Sequence, residues 1–190
     1  MEMTGEYRIS AARADVWAAL NDIEVLKRSL RGCEALERID DTHMKGTVTS
    51  KVGPVKATFK GQITLSEIDP PNGYRIAGEG NAGPAGYAKG GAKVILRDDG
   101  GQTVLAYTVD ASIGGKIAQI GSRIVDAAAK RMADDFFKRF SAELDARQST
   151  LEHSAPSGEP DPAVKEHSYM AYGVVALGIV GAAFIYAALS

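Results

Sequence analysis

The sequence predicts an α+β fold in which a curved antiparallel sheet wraps around one long C-terminal helix. Three observations support this prediction. Apolar and polar residues alternate for about 80 residues after Gly32, turn-forming residues interrupt that alternation, and a long amphipathic stretch follows it. A sheet with one apolar face and a helix with one apolar stripe must bury these surfaces against each other.

The first elements are short. Residues 6–10 are predicted to form a strand, and residues 15–20 and 23–30 to form two helices. Asp22 precedes the second helix and can cap its free amides. From residue 33 onward the pattern changes from the helical period to the period of two that is typical of strands.

The clearest strand covers residues 55–65. Every second residue from Val55 to Leu65 is apolar or glycine and the residues between are polar, which is typical of a strand with one wet face. Gly53-Pro54 predicts a turn before it, and residues 69–73 and 98–101 predict later turns. An antiparallel meander is therefore expected.

The last helix is predicted over residues 116–146. One face is apolar and the opposite face is charged. The apolar stripe consists of Ile117, Ile120, Ile124, Ala128, Met132, Phe136, Phe140 and Leu144. A long helix held against a curved sheet is the helix-grip layout.

Composition restricts the function. The 190 residues include 22 Lys plus Arg and 24 Asp plus Glu, and residues 1–147 hold 21 basic and 20 acidic residues, so no nucleic-acid partner is expected. His43 is the only histidine before residue 148, and Cys33 is the only cysteine. We therefore expect no metal site and no catalytic residues.

Small residues occupy the inward-facing positions of several predicted strands. They leave space beneath the helix unless it approaches closely, and a dry void costs about 24 cal/mol per Å³. A cavity that holds an apolar ligand is therefore expected. The alternative is that glycine and alanine allow tight backbone packing, and a bulge would reverse the assignment beyond it. The predicted lining residues are Phe59, Gly61, Ile63, Gly78, Gly80, Ala88, Gly90, Ala92, Tyr107, Val109, Ala111, Ile120, Ile124, Ala128, Met132, Phe136 and Phe140.

Residues 169–190 contain no charged residue. As a helix they would be about 33 Å long, enough to cross a hydrocarbon core of about 30 Å. No secretory signal precedes the domain, so we expect a single-pass tail anchor in the cytoplasmic membrane. The domain, residues 1–147, would lie in the cytoplasm, joined to the anchor by a solvated linker, residues 148–168. A buried helix of a soluble protein is the alternative.

Six segments occur in a characteristic order: DVWAAL at 15–20, GCE at 32–34, GPVKATFKG at 53–61, DPPNGY at 69–74, AKGGA at 88–92 and GGKIAQIGSR at 114–123. Together they resemble the family of carbon monoxide dehydrogenase G subunits, within the START-like (SRPBCC) superfamily of helix-grip domains. The resemblance covers most of residues 1–144. One departure is Leu30-Arg31-Gly32-Cys33, where the family often has proline in second place.

The resemblance implies an accessory protein, itself without metal, of a molybdenum, iron-sulfur and flavin carbon monoxide dehydrogenase or a related hydroxylase. Such a protein would attach the soluble enzyme to the cytoplasmic membrane. Because that enzyme must pass electrons onward and respiratory quinones lie in lipid, menaquinone or ubiquinone is the expected ligand. The alternatives are a docking or assembly factor without cargo, and a cyclase-like or aromatase-like enzyme that shares the fold.

Overall fold

The computed structural model describes residues 2–153, which form a seven-stranded antiparallel sheet and three α-helices. The strands are β1 (Glu2–Ile9), β2 (Cys33–Arg38), β3 (His43–Val52), β4 (Val55–Asp69), β5 (Gly73–Asn81), β6 (Tyr87–Asp99) and β7 (Gln102–Gly114). The α-helices are α1 (Arg13–Leu20), α2 (Ile23–Ser29) and α3 (Ser122–His153), with short 3-10 helices at Gly83–Ala85 and Ala118–Ile120. The predicted α+β architecture, a sheet followed by a long helix, is confirmed.

The strand order is β1-β7-β6-β5-β4-β3-β2, and every neighbouring pair is antiparallel. Hairpins join the consecutive strands from β2 to β7, whereas α1 and α2 carry the chain from one edge of the sheet to the other. Because consecutive strands run in opposite directions, their connections alternate between the two ends of the sheet. The β3–β4 turn, the β5–β6 loop and the segment after β7 therefore share one end.

Local chemistry explains the turns and the short helices. The Asp22 carboxylate accepts hydrogen bonds from the backbone amides of Glu24 and Val25, so the predicted cap of α2 is confirmed. Gly53 in the β3–β4 turn has φ +51°, a conformation that favours glycine. Gly32 has φ +78°, and a Cβ atom there would lie 2.1 Å from the carbonyl oxygen of Thr49. This turn therefore requires glycine, whatever residue precedes it.

The predicted alternation persists through the sheet. On β4, Ala57, Phe59 and Ile63 are buried, and Lys56, Thr58, Lys60 and Gln62 between them are exposed. The same parity reaches Ala111 on β7, which is 2% exposed. The inward-facing residues and α3 enclose the hydrophobic core.

The structure corrects the bounds of three predicted elements. The first strand covers Glu2–Ile9 instead of residues 6–10, and it pairs with β7 over its whole length. The last helix begins at Ser122 instead of residue 116, because Gly115 and Gly121 have φ of +91° and +99°, outside the helical region. It continues past residue 146 to His153, so residues 148–153 of the predicted linker are helical.

The buried face of α3 is also turned relative to the predicted stripe. Ile124 is 46% exposed, and Ala128 and Met132 are only partly buried. In the first half of α3, the buried residue of each turn is the one that follows the predicted residue. The buried residues of α3 are Val125, Ala129, Ala133, Phe136, Phe137, Phe140 and Leu144. Ile117, Ile120 and Ile124 suit a helical period, but the first two precede α3 and therefore do not set its face.

Within residues 2–153, none of the helices combines the length and the hydrophobicity that crossing a bilayer requires. The predicted anchor, residues 169–190, and residues 154–168 of the predicted linker lie outside the described residues.

Candidate functional site

Backbone register aligns the small inward-facing residues in two adjacent rows. The first row crosses β3 to β6 and consists of Gly46, Gly61, Gly80 and Ala88. The second crosses β5 to β7, next to Ile63 of β4, and consists of Gly78, Gly90 and Ala111. Gly46 completes the first row although the sequence pattern did not single it out. The inner face of the sheet thus has a band almost without side chains.

Large apolar side chains share the buried core with the alanines of this band. Phe136 and Phe140 extend from α3, and their rings stack with centroids 5.7 Å apart. Each of the predicted lining residues Phe59, Ile63, Ala88, Ala92, Tyr107, Val109, Ala111, Phe136 and Phe140 is at most 6% exposed. Gly80 is also buried, whereas Gly61, Gly78 and Gly90 are partly exposed. The arrangement presents an apolar surface from both the sheet and the helix.

Gly90 lies very close to the adjacent strand β7. A Cβ atom at this position would lie 2.3 Å from the carbonyl oxygen of Asp110 and 2.8 Å from the Cα of Ala111, on the adjacent strand. The glycine therefore allows β6 and β7 to approach closely. At Gly90, tight backbone packing explains the small residue, and a larger side chain would disturb the sheet.

Of the remaining predicted lining residues, Ile120 lies in the 3-10 helix before α3, and Ile124, Ala128 and Met132 lie at the edge of the buried face of α3. A Cβ atom at Gly53 would lie 3.3 Å from Cγ2 of Ile124 and 3.6 Å from Cγ2 of Ile120. Both isoleucines therefore reach the β3–β4 turn. Further along α3, the Ser50 hydroxyl donates a hydrogen bond of 3.7 Å to the Met132 sulfur. These contacts close the sheet against the N-terminal half of the helix.

An aromatic cluster joins β1 to α3, and the sequence pattern did not predict it. The rings of Tyr7 and Phe137 stack with centroids 4.0 Å apart, and Tyr107 lies 6.1 Å from each. The Tyr7 hydroxyl donates a hydrogen bond of 2.6 Å to the carboxylate of Asp134. The sequence shows only that Tyr7 is an aromatic residue at an inward-facing position of β1. That position does not identify Asp134, which lies 127 residues further along the chain, as its partner.

The Tyr7–Asp134 contact changes the acidity of both groups. Burial, and then the hydrogen bond to Asp134, raise the pKa of the Tyr7 hydroxyl far above its ordinary value of 10.0. The same hydrogen bond, assisted by Lys130, lowers the pKa of Asp134. A groove of about 570 Å³ runs between β1 and α3 beside this pair. Its walls also carry Asp126 and Lys130, so it is more polar than the inner face.

The two residues with the most reactive side chains lie apart. Cys33 aligns with Val48, five residues along β3 from His43, which corresponds to about 17 Å. Burial raises the pKa of the Cys33 thiol, which makes it a poor nucleophile at neutral pH. His43 is paired with Asp40 in the exposed β2–β3 turn. Among residues 2–153, no three His, Cys, Asp or Glu side chains come together in a cluster that could hold a metal ion.

Sequence comparison assigns the chain to a family. Residues 5–145 match the family described as the G subunit of carbon monoxide dehydrogenase (CoxG). The chain belongs to the CoxG family. The match covers the sheet from β1 to β7 and most of α3, so the band of small residues lies within the family domain. No curated protein sequence shows significant similarity to the chain.

Solved structures show the same fold. A conserved protein of Geobacillus kaustophilus is 29% identical, with a TM-score of 0.73, and the match covers 77% of this chain and 96% of that one. A protein of Thermus thermophilus is 16% identical, with a TM-score of 0.57 and coverage of 82% and 100%. The ZhuI aromatase/cyclase of a Streptomyces species is 15% identical, with a TM-score of 0.58 and coverage of 78% and 95%. The helix-grip fold expected from the sequence is therefore confirmed.

Proposed function

We propose that this CoxG-family protein is a non-catalytic accessory protein that holds an apolar molecule between the sheet and α3. It recruits a soluble molybdenum carbon monoxide dehydrogenase, or a related hydroxylase, to the cytoplasmic membrane. Residues 169–190 anchor it there. The apolar molecule is a respiratory quinone, menaquinone or ubiquinone.

The observation that carries the proposal is the band of small residues on the inner face. Glycine and alanine in adjacent rows place little side-chain volume on the inner face, and Phe136 and Phe140 of α3 belong to the same buried core. A flat apolar ring with a long hydrocarbon tail fits such a surface without needing a charged partner. Oxidation of carbon monoxide with water gives carbon dioxide, protons and electrons, and a quinone held in this position would accept the electrons from the enzyme together with protons and become the quinol.

The ligand claim is tested by extracting the full chain, purified from its own membranes, with organic solvent and identifying the released lipids. We expect a quinone, and the Ala92→Phe variant should retain at least about tenfold less, which corresponds to about 1.4 kcal/mol of binding free energy. Ala92 is 4% exposed on the inner face of β6. Ala77→Phe is the matched control, because Ala77 is exposed on the outer face of the adjacent strand.

Thermal unfolding of both variants separates lost binding from lost structure. Failure to extract quinone or lipid from the wild type, together with no binding of added quinone, would contradict the proposal of a bound ligand.

The close approach at Gly90 favours the second candidate, a docking or assembly factor without a bound ligand, because the small residue at this position serves packing. In that case Ala92→Phe would leave carbon monoxide-dependent respiration unchanged.

An enzyme of the aromatase or cyclase kind is the third candidate, and turnover of a polyketide by the purified chain would support it.

A further inference from the structure

One end of the sheet is formed by three connections that touch one another. We call residues 51–56, 82–86 and 115–124 the three-loop end. The backbone amide of Ile117 donates a hydrogen bond of 3.1 Å to the carbonyl of Ala85. Ile120 and Ile124 reach Gly53 in the β3–β4 turn. These contacts make the three segments one continuous surface at the N-terminal end of α3.

Within these three segments every charged residue is basic, and the next acidic residue along α3 is Asp126. Lys51, Lys56, Lys116 and Arg123 are all exposed, and the three segments contain no Asp or Glu. None of the four basic residues forms an ion pair with any residue of the part that the structure describes. Lys51 and Lys56 lie directly opposite each other on β3 and β4, an arrangement that destabilises a hairpin unless an anion lies between or above the two charges.

Apolar side chains lie among these charges. Ile124 is 46% exposed and Tyr87, which directly follows the β5–β6 loop, is 54% exposed. They are two of the four large hydrophobic side chains exposed within residues 2–153. Pro54 and Pro84 are exposed at the tips of their loops. Exposed apolar groups surrounded by basic residues are typical of surfaces that bind the interface of a lipid bilayer.

The opposite end of the sheet has the opposite charge. Asp40 and Asp41 lie in the β2–β3 connection, and four more acidic residues lie near the ends of β4 and β6 on the same side: Glu67, Asp69, Asp98 and Asp99. Arg8 and Arg75 neutralise Asp99 and Glu67, and the other four acidic residues form no ion pair with Lys or Arg within the described part of the chain, so this end keeps an excess of acidic charge. A domain that is basic at one end and acidic at the other will turn its basic end toward a negatively charged surface.

We propose that the three-loop end docks on a bilayer rich in anionic phospholipid. Each basic residue near such a surface strengthens binding about fivefold, which is weak alone but effective in a tethered domain. Docking would bring the band of small residues close to the lipid, because Gly80 and Ala88 of the first row are only a residue or two from the β5–β6 loop. An apolar ligand could then pass between lipid and protein without crossing water. This inference rests on the proposed membrane tether, but not on the identity of the ligand.

The length of the chain permits the tether and the docking at once. From Ser122 to His153, α3 is about 46 Å long, so its C-terminal end points away from a bilayer that contacts the three-loop end. Residues 154–168 can span at most about 50 to 54 Å when extended. One chain can therefore reach back to the membrane, and deletion of residues 154–162 would prevent end-on docking while keeping the anchor.

The test uses the full chain reconstituted in vesicles, with Cys33→Ser and a fluorescent label at Pro84→Cys. The vesicles contain a spin-labelled lipid that quenches nearby fluorophores. One set consists of phosphatidylcholine alone, and the other also contains about 30% of the anionic lipid phosphatidylglycerol. We expect quenching with the anionic lipid and at least about tenfold weaker quenching in about 0.5 M NaCl. A label at Gln102→Cys, at the opposite end of the sheet, should not be quenched.

Charge reversal supplies the matched comparison. Glutamate at Lys51, Lys56, Lys116 and Arg123 should abolish quenching at Pro84. Glutamate at Lys93, Arg131, Lys138 and Arg139 changes the net charge equally at exposed positions elsewhere, and should leave quenching within about twofold of the wild type. Circular dichroism spectra of both variants should match the wild type.

Three results would overturn the proposal: equal quenching in the two kinds of vesicle, equal loss in both charge-reversed variants, or no quenching at Pro84. If any of them occurs while quinone is still extracted from the protein, the proposed function survives and the docking does not. If the chain fails to insert into vesicles, the tether is wrong. Co-sedimentation with the anionic vesicles then tests the same four basic residues directly.

Discussion

Asp22 connects two helices through a single carboxylate. One oxygen accepts from the amides of Glu24 and Val25, and the other accepts a hydrogen bond of 2.6 Å from the Arg147 guanidinium on α3. Partial burial raises the pKa of Asp22, but the bonds from Arg147 and the two amides outweigh it, so the net pKa lies below the ordinary value of 3.8. The charged form therefore stabilises the fold.

Substitution of Asp22 by alanine should lower the free energy of unfolding by about 1 to 2 kcal/mol, most of it from the lost cap, because the ion pair is partly exposed. Urea denaturation measures this change. Asp22→Asn keeps a capping oxygen and loses the charge, so it isolates the electrostatic part. Because the folded-state pKa is depressed, that part is present above the unfolded-state pKa and disappears as pH falls through the folded-state value. A wild-type advantage over Asp22→Asn that grows below about pH 4 would contradict this account.

Single residues differ in how far they can be predicted from sequence. A capping role for Asp22 follows from its place before an apolar stretch, since the partners of a cap are its own neighbours. Its bond to Arg147 spans 125 residues and depends on how α3 lies against α2. Gly90 was ambiguous for a similar reason. Whether a glycine leaves space or allows close approach depends on the strand beside it, and here Asp110 decides the matter.

At the scale of elements, the contact between β1 and α3 depends on one hydrogen bond and one ring stack. Tyr7→Phe keeps the stack on Phe137 and removes the bond to Asp134, and it should cost about 1 kcal/mol, less than a buried charged bond because Asp134 is half-exposed. A double-mutant cycle with Asp134→Ala should give a coupling energy of similar size. Asp135→Ala is the control, because the ion pair of Asp135 with Arg31 is exposed and its loss should change stability by less than about 0.5 kcal/mol. Equal effects of the two aspartate variants would contradict a specific role for Tyr7.

The strands were more predictable than the last helix. Alternation on β4 reports burial of one face directly, and glycine-rich turns mark where each strand ends. The start of α3 was misplaced because Ile117, Ile120 and Ile124 fit a helical period before the helix begins. Periodicity does not register the positive φ of Gly121, nor the hydrogen bond that ties Ile117 to the β5–β6 loop.

For the whole molecule, the turn-forming residues predict the antiparallel meander, and the meander in turn predicts that the small residues face inward. The charge distribution could not be anticipated in the same way. Net charge over residues 1–147 is near zero, which conceals a basic end and an acidic end. Lys116 and Arg123 join Lys51 and Lys56 only because the end of β7 meets the β3–β4 and β5–β6 connections.

The proposed membrane attachment depends on residues 169–190, an uncharged segment that as a helix would match the bilayer core. Deletion of this segment should move the protein from the membrane fraction to the supernatant after an alkaline carbonate wash, whereas deletion of residues 154–162 should leave it in the membrane fraction. At low salt, part of the protein that lacks residues 169–190 should still pellet with anionic vesicles through the three-loop end. About 0.5 M NaCl should release it, because salt screens the electrostatic contact. If the protein that lacks residues 169–190 stays in the membrane fraction after the carbonate wash, another part of the chain holds it there, and residues 169–190 are not the membrane tether.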